Sequence, residues 1–266
     1  MSETTARRAR PTVRLEVVRT EQLTPHMVRV VAGGPGFADF VANGYTDAYV
    51  KLVLPRPDVT YPEPFDMAEV RATMPREQWP AIRTYTVRWV DEAAGEIAID
   101  VVQHGDSGLA GPWAARVRPG DRVLLNGPGG AYAPRADVDA HVLAGDEAAL
   151  PAIAAALEAV GPGVPVHAVI EVDGPTDELP LTCPGAPTVT WVHRRRGDDL
   201  VAAVRALAWP AGRVQAFVHG ETGAVKQLRA HLLDERGVDR DLLSISGYWR
   251  RGADEDRFQA EKRAAA

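Results

Sequence analysis

Three segments of this 266-residue chain combine side chains and backbone in ways that suit a ligand both anionic and partly flat. The first is Arg83-Thr-Tyr-Thr86. On a strand, Arg83 and Tyr85 share one face while Thr84 and Thr86 share the other, which sets a cationic fork and an aromatic plane beside one ligand. A guanidinium matches a phosphate well. The second, His104-Gly-Asp-Ser-Gly-Leu-Ala-Gly111 followed by Trp113, lies between a strand pattern and a short helix pattern. Its glycines let backbone N–H groups approach an anion closely, and a helix start adds its dipole. The third is the turn Gly127-Pro-Gly-Gly-Ala-Tyr132. Taken singly, each segment also fits an ordinary strand, loop or turn.

A second group of polar residues follows a change of pattern near residue 135. Gly145-Asp146-Glu147 stands at the turn after a short apolar run, the place where open α/β sheets bind ligands. No Gly-x-Gly-x-x-Gly fingerprint accompanies it, so the turn alone does not establish a dinucleotide site. Glu171, near the end of the next strand pattern, can accept a hydrogen bond from a ligand hydroxyl. Arg194-Arg-Arg196 can instead seat an anionic group, or is a solvated loop. Glu221 either lines a cleft or caps the helix pattern from Ala224. There is no catalytic triad or carboxylate pair, so the chain gives no sign of acid–base or nucleophilic chemistry by its own side chains.

Composition narrows the classes. A length of 266 residues predicts about two domains. With 45% hydrophobic and 25% charged residues the chain is an ordinary globular one. Thirty basic and 36 acidic residues leave a net charge of −6, which argues against a general nucleic-acid binder. The lone Cys183 cannot form an internal disulfide, no Cys/His pairs stand at zinc spacing, and no metal site is expected. The amino end has no apolar core behind its basic residues, and no apolar run reaches the roughly 18 residues of a membrane span, so a cytoplasmic protein is expected. Nothing in the sequence forces a dimer, and a monomer is expected.

The elements that must position these residues fall into two patterns. From Thr12 to about Pro134 six short segments, at 13–18, 27–31, 49–54, 84–89, 96–102 and 122–125, are β-branched or aromatic, and many alternate in polarity. Turn signals separate them, and the spacing predicts a small antiparallel barrel. Beyond residue 135, strand patterns at 141–146, 164–172, 188–192 and 214–219 alternate with helix patterns at 148–160, 199–208 and 224–235. That alternation predicts a parallel sheet with helical crossovers. The division expected is a tail over 1–11, a barrel over 12–134, an α/β domain over 135–252 and a second tail over 253–266. The Pro-rich connection 55–82 is longer than usual and reads as a lid or a mobile surface segment.

In this order the motifs resemble the ferredoxin-NADP reductase superfamily. Within it, Arg83-Thr-Tyr-Thr-Val-Arg88, Gln103-His-Gly-Asp106, Ala144 to Ile153, His219-Gly-Glu221 and Ser246-Gly-Tyr-Trp-Arg-Arg-Gly252 resemble the siderophore-interacting proteins, which are FAD-dependent ferric-siderophore reductases. The resemblance implies a six-stranded flavin-binding barrel followed by a nucleotide-binding α/β domain. It implies that Arg83 binds the FAD pyrophosphate, that Tyr85 stacks on the isoalloxazine, that Thr86 sits near flavin N5, and that Thr84 belongs to the same cofactor wall. Val102 to His104 would meet the ring edge, while Gly108, Ala110, Gly111 and Trp113 enclose the phosphates. Gly145, Asp146, Glu147 and Glu221 would face the nicotinamide nucleotide. Lys51 and Arg250 match a basic substrate cluster, with Arg135 as a third candidate. Two departures stand out. Gly111 replaces a serine common in the family, a loss of one hydrogen bond worth about 1 kcal/mol net, and Gly129 stands where many members have arginine.

The resulting expectation is an FAD enzyme that uses NADH or NADPH to reduce siderophore-bound Fe(III) to Fe(II) in the cytoplasm. The ferric siderophore is its expected small-molecule partner; a ferredoxin donor stays open. Two rivals share much of this pattern. A flavin or ferredoxin-type reductase serving another acceptor needs no Lys51/Arg250 cluster, and a non-enzymatic siderophore-binding flavoprotein needs no pyridine-nucleotide turnover.

Overall fold

The computed structural model describes residues 12–103 and 108–253. Six strands close the first half into a barrel: β1 (Val13–Thr24), β2 (Met27–Gly33), β3 (Tyr49–Leu54), β4 (Ala81–Asp91), β5 (Glu96–Val102) and β6 (Arg122–Gly129), in the order β1-β2-β5-β4-β3-β6. Alternation explains the closure. Val13, Leu15 and Val17 of β1, Val50 and Leu52 of β3, and Ile97, Ile99 and Val101 of β5 point inward and are buried in one cluster. The residues between them face outward, which leaves Tyr49 and Lys51 exposed on either side of the fully buried Val50. Two helices belong to this half, α1 (Met67–Thr73) and α2 (Ala110–Arg116).

The connection between β3 and β4 is neither a free lid nor a bare loop. It contains α1, whose first turn is capped by Asp66, and it buries Phe65 and Val70 against Val53 and Leu124 on the flank of the barrel. Apolar residues spaced through the Pro-rich stretch give it a small core of its own.

The second half is a five-stranded parallel sheet of β7 (Ala140–Asp146), β8 (Pro165–Val172), β9 (Ala186–His193), β10 (Val214–Glu221) and β11 (Leu243–Trp249), ordered β11-β10-β7-β8-β9. Helices α3 (Leu150–Ala159), α4 (Leu200–Arg205) and α5 (Thr222–Ala230) form the crossovers. The 224–235 pattern is longer than α5 because the last turn, His231–Glu235, widens into a π-helix. The strand β11 is absent from the periodicity reading. Every one of its residues is only half-buried, as befits an edge strand, and its sequence Leu-Ser-Ile-Ser-Gly-Tyr-Trp has no continuous apolar face. No helix among the described residues is long and apolar enough to cross a membrane.

The strand order reverses between β7 and β10, and the crevice beyond their carboxyl ends is where this architecture binds ligands. The barrel is packed against the sheet. Met27 shares a buried cluster with Leu143, Leu150 and Ile153, with Leu23 and Val102 packed against it. His26 Nδ1 lies 2.8 Å from Asp177 Oδ1, and Arg88 donates to Glu158 of α3 at 2.9 Å.

Close approach at the switch point depends on Gly145. A Cβ there would lie 2.5 Å from the His219 carbonyl oxygen and 2.6 Å from Ala149 Cβ. Gly145→Ala is therefore expected to destabilise the protein by about 1–3 kcal/mol through overpacking, read as a lower urea midpoint at unchanged slope. An unchanged midpoint would mean that the strands separate there at no cost.

Candidate functional site

The carboxyl ends of β7, β10 and β11 face the outer wall of β3 and β4 across a cleft of about 1210 Å³. That volume exceeds the range of roughly 300–1,000 Å³ for one drug-sized ligand, so the cleft accommodates more than one ligand moiety. Antiparallel register builds the barrel wall. Lys51 pairs with Thr84 and Tyr49 with Thr86 across β3 and β4, while Lys51 pairs with Asn126 and Tyr49 with Gly129 across β3 and β6. Thr84, Tyr85, Thr86, Lys51 and Val102 all line the cleft. Thr84 is exposed, Tyr85 is half-buried against the barrel core, and Thr86 is buried. A planar ring with polar edges fits such a wall, an aromatic face beside two hydroxyls, and FAD is a group of that kind.

Arg83 does not line this cleft. It is buried, and its Nη1 donates to the Ile82 carbonyl at 2.9 Å. The glycine-rich turn is placed apart as well. Gly108 has φ +81° with open space where a Cβ would stand, Ala110 is buried at the start of α2, and Gly111 packs on the backbone of Val102 and Gln103. Trp113 borders a second hollow between α2 and residues 54–59. His104 lies outside the described residues.

On the sheet side Asp146 is a buried tie between strand ends, not a lining residue. Its Oδ2 accepts from the Glu221 backbone N–H at 2.8 Å and from Trp249 Nε1 at 2.7 Å, and its Oδ1 accepts from the Ala148 N–H at 3.0 Å. Burial pushes its carboxyl up to about 6, although the hydrogen bond from Trp249 and those from the two backbone groups pull the other way. Gly145 is packed out of reach behind it. Glu221 is the N-cap of α5, accepting from Gly223 at 2.6 Å and Ala224 at 3.1 Å, and it also receives the Arg251 N–H at 3.2 Å. The capping alternative for Glu221 therefore describes its side chain.

Glu147 does line the cleft and is buried. It is bound by Arg194, whose Nη1 donates to Glu147 at 2.7 Å and to Glu171 at 3.0 Å. Arg195 pairs with Asp173 at 2.6 Å. Arg250 lines the cleft with Lys51. Arg135 does not join them. Its guanidinium is taken by Asp137 at 2.7 and 2.8 Å and by Asp241 at 3.8 Å, beside the amino ends of β7 and β11, the end of the sheet opposite the cleft. Its expected place in the basic cluster is corrected accordingly.

Several lining residues escaped a reading by residue type. Trp249 and Tyr248 stand over the cleft from the end of β11, and His219 stacks on Phe217 at 4.0 Å with Tyr248 at 4.9 Å. The signals for them were two motifs, His219-Gly-Glu221 and Ser246 to Gly252, since β11 itself carries no strand pattern.

The carboxyl of Asp146 titrates higher folded than in an unfolded chain. Between about pH 4 and 6 the folded state holds the extra proton, so this group's contribution makes stability fall as pH rises through that window and level off above it. Asp146→Asn is expected to flatten that slope in denaturant titrations run from pH 4 to 7. It should also shift tryptophan emission, because Trp249 loses its charged acceptor. An unchanged slope would mean that Asp146 does not carry the proton.

Two family models match the chain: the siderophore-interacting FAD-binding domain over residues 16–132 and the siderophore-interacting protein over residues 138–252. The uncharacterized protein Rv2895c of Mycobacterium tuberculosis is 50% identical over 97% of this chain and 96% of its own length. The NADPH-dependent ferric-chelate reductase of Escherichia coli is 29% identical over 88% and 91%. Among solved structures, a siderophore utilization protein from T. fusca aligns with a TM-score of 0.77 at 36% identity, covering 92% of this chain and 94% of that one. With both halves matched in order on a ferredoxin reductase-like fold, the chain belongs to the siderophore-interacting protein family, and its barrel is that family's FAD-binding domain.

Proposed function

We propose that the protein is an FAD-dependent ferric-siderophore reductase that draws electrons from NAD(P)H and releases iron as Fe(II). One observation carries the reading. A single cleft brings together the Thr84–Thr86 wall, the carboxyl ends of the sheet at the switch point, and the cations Lys51 and Arg250. Flavin wall, nucleotide end and anion-attracting groups thus face the same space. Ferric reductase activity in the E. coli relative supports the reaction class.

Each residue is assigned a binding or orienting task. Tyr85, with Thr84, Thr86 and Val102, holds and orients the isoalloxazine, and Arg83 with the Gly108–Gly111 turn and Trp113 serves the phosphate end. Bound FAD supplies the conversion of a two-electron donor into a one-electron reductant. Glu147 and Pro151 bound the nucleotide end of the cleft, where Asp146 and Glu221 keep the strand ends in place. Lys51 and Arg250 attract the ferric chelate, which is anionic in the catecholate case. Each NAD(P)H gives up a hydride, two electrons in all, enough for two Fe(III) ions. Hard oxygen donors hold Fe(II) less tightly than Fe(III), so reduction loosens the metal. NAD(P)H and two Fe(III) thus give NAD(P)+, two Fe(II) and one proton, and that proton leaves to solvent.

The test is anaerobic. Purified protein is expected to be yellow, to bleach with NADH or NADPH, and to yield ferrous iron to a chelator when a ferric siderophore is added. Bleaching without siderophore-dependent Fe(II) would favour a reductase for another acceptor. No bleaching with either nucleotide would favour a flavin-containing binder. Lys51→Ala should raise KM for an anionic ferric siderophore by about 3- to 10-fold, the scale of one partly screened charge contact of roughly 1 kcal/mol, while flavin reduction by NAD(P)H stays at the wild-type rate. Equal loss in both half-reactions would remove Lys51 from the substrate site.

A further inference from the structure

The region around the carboxyl end of β8 decides which nicotinamide nucleotide the cleft accepts. In parallel sheets of this kind an acidic side chain beyond the second strand receives the adenosine ribose hydroxyls of NADH, whereas an arginine there takes the 2′-phosphate of NADPH. Both residue types are present: Glu171 and Asp173 at and beyond the end of β8, and Arg194 and Arg195 just after β9. What separates the two outcomes is the state of the arginines.

Arg194 is committed to carboxylates. Its Nη1 donates to Glu147 at 2.7 Å and to Glu171 at 3.0 Å, and its Nη2 also donates to Glu147. The Glu147 side chain is only 7% exposed and that of Glu171 15%, so withdrawing Arg194 toward a phosphate would leave buried negative charge without its partner. Arg195 is the more accessible of the two at 68% side-chain exposure, but its Nε is held by Asp173 Oδ2 at 2.6 Å. Behind Asp173 stands Asp177, buried and bonded to His26; ligand atoms of Asp173, Asp177 and His26 lie within 4.8 Å of one another. Arg196 is exposed and does not line the cleft. Three carboxylates, Glu147, Glu171 and Asp173, therefore hold two guanidinium groups, with Asp177 beyond Asp173. A 2′-phosphate, carrying about −1.5 to −2 charges at pH 7, would enter a locally acidic corner. A ribose diol would meet acceptors.

We infer that this cleft is built for NADH, with Asp173 accepting from the adenosine ribose hydroxyls and Arg194 and Arg195 serving as carboxylate partners in place of a 2′-phosphate seat. The inference rests on the reductase reading for the reaction itself, but the discrimination concerns binding and is measurable without turnover. The Asp173 side chain is 26% exposed and pairs with the 68% exposed Arg195, so Asp173→Asn tests the discrimination at the rim of the cleft.

The experiment follows anaerobic flavin bleaching by NADH and by NADPH at fixed ionic strength. In parallel, calorimetric titrations use 5′-AMP and adenosine 2′,5′-bisphosphate as fragments that differ only in the 2′-phosphate. Wild-type kcat/KM for NADH is expected to exceed that for NADPH by at least about tenfold, with 5′-AMP the tighter fragment. Asp173→Asn, which removes one negative charge and releases Arg195, should narrow the ratio by about 3- to 10-fold. Equal or better use of NADPH by the wild type would overturn the inference, as would an unchanged ratio in Asp173→Asn. Bleaching by neither nucleotide would sink the reductase reading instead. The fragment titrations then decide the present point alone: tighter 5′-AMP upholds it and tighter bisphosphate overturns it.

Discussion

One buried carboxylate holds the floor of the cleft in place. Asp146 accepts three hydrogen bonds, and the donors come from the start of the α3 turn, the end of β10 and the end of β11. Burying an ionised group is costly unless it is hydrogen-bonded, and here the bonds also close the ends of three strands around one point. Glycine makes the arrangement possible. Gly220, at φ +137°, passes so close that a Cβ would lie 2.6 Å from Asp146 Oδ2, and Gly145 lets β7 meet β10 without a side chain between them. The Trp249 ring, the Glu221 cap of α5 and the entry to α3 all depend on that single group.

Charge is sorted across the cleft. The chain carries −6 overall, and two of the cleft-lining cations are held by carboxylates: Arg194 by Glu147 and Glu171, Arg195 by Asp173. Asp100, also at the wall, is held in a two-bond pair with Arg29 at 2.7 and 2.8 Å. Lys51 and Arg250 line the same cleft, and the carboxylates of Glu147, Glu171 and Asp173 gather around Arg194 and Arg195.

Much of the architecture was legible because periodicity is local. The barrel strands alternate apolar and polar residues, and the sheet strands β7, β8 and β10 are apolar runs bounded by turns, so both halves emerged with the right order and class. The strand β11 stayed hidden because it is a half-buried edge with serines and a glycine in it. The Pro-rich connection hid its own packing, because Phe65 and Val70 are spaced through it without a period. At the site, strand alternation paired Arg83 with Tyr85 on one face and Thr84 with Thr86 on the other, whereas Thr84, Tyr85 and Thr86 line the cleft together and Arg83 is buried away from it. Arg135 was misjudged by proximity along the chain to the Gly127–Tyr132 turn, since the chain between them runs to the far end of the sheet before β7 begins.

The sequence by itself determined the two element patterns and the residue types able to meet an anion joined to a flat ring. Those properties reside in composition, short-range period and spacing. Only the tertiary structure decided which of these residues share a space and which are already occupied. Asp146 became a tie between strand ends, and Arg194 a bridge between two glutamates. The physical reason is that a charged side chain is defined by its nearest partner, and those partners lie 30 to 103 residues away for Asp146–Trp249, Arg194–Glu147 and Arg251–Glu221. No local pattern encodes contacts at that separation; the closed barrel and the reversal of strand order between β7 and β10 create them.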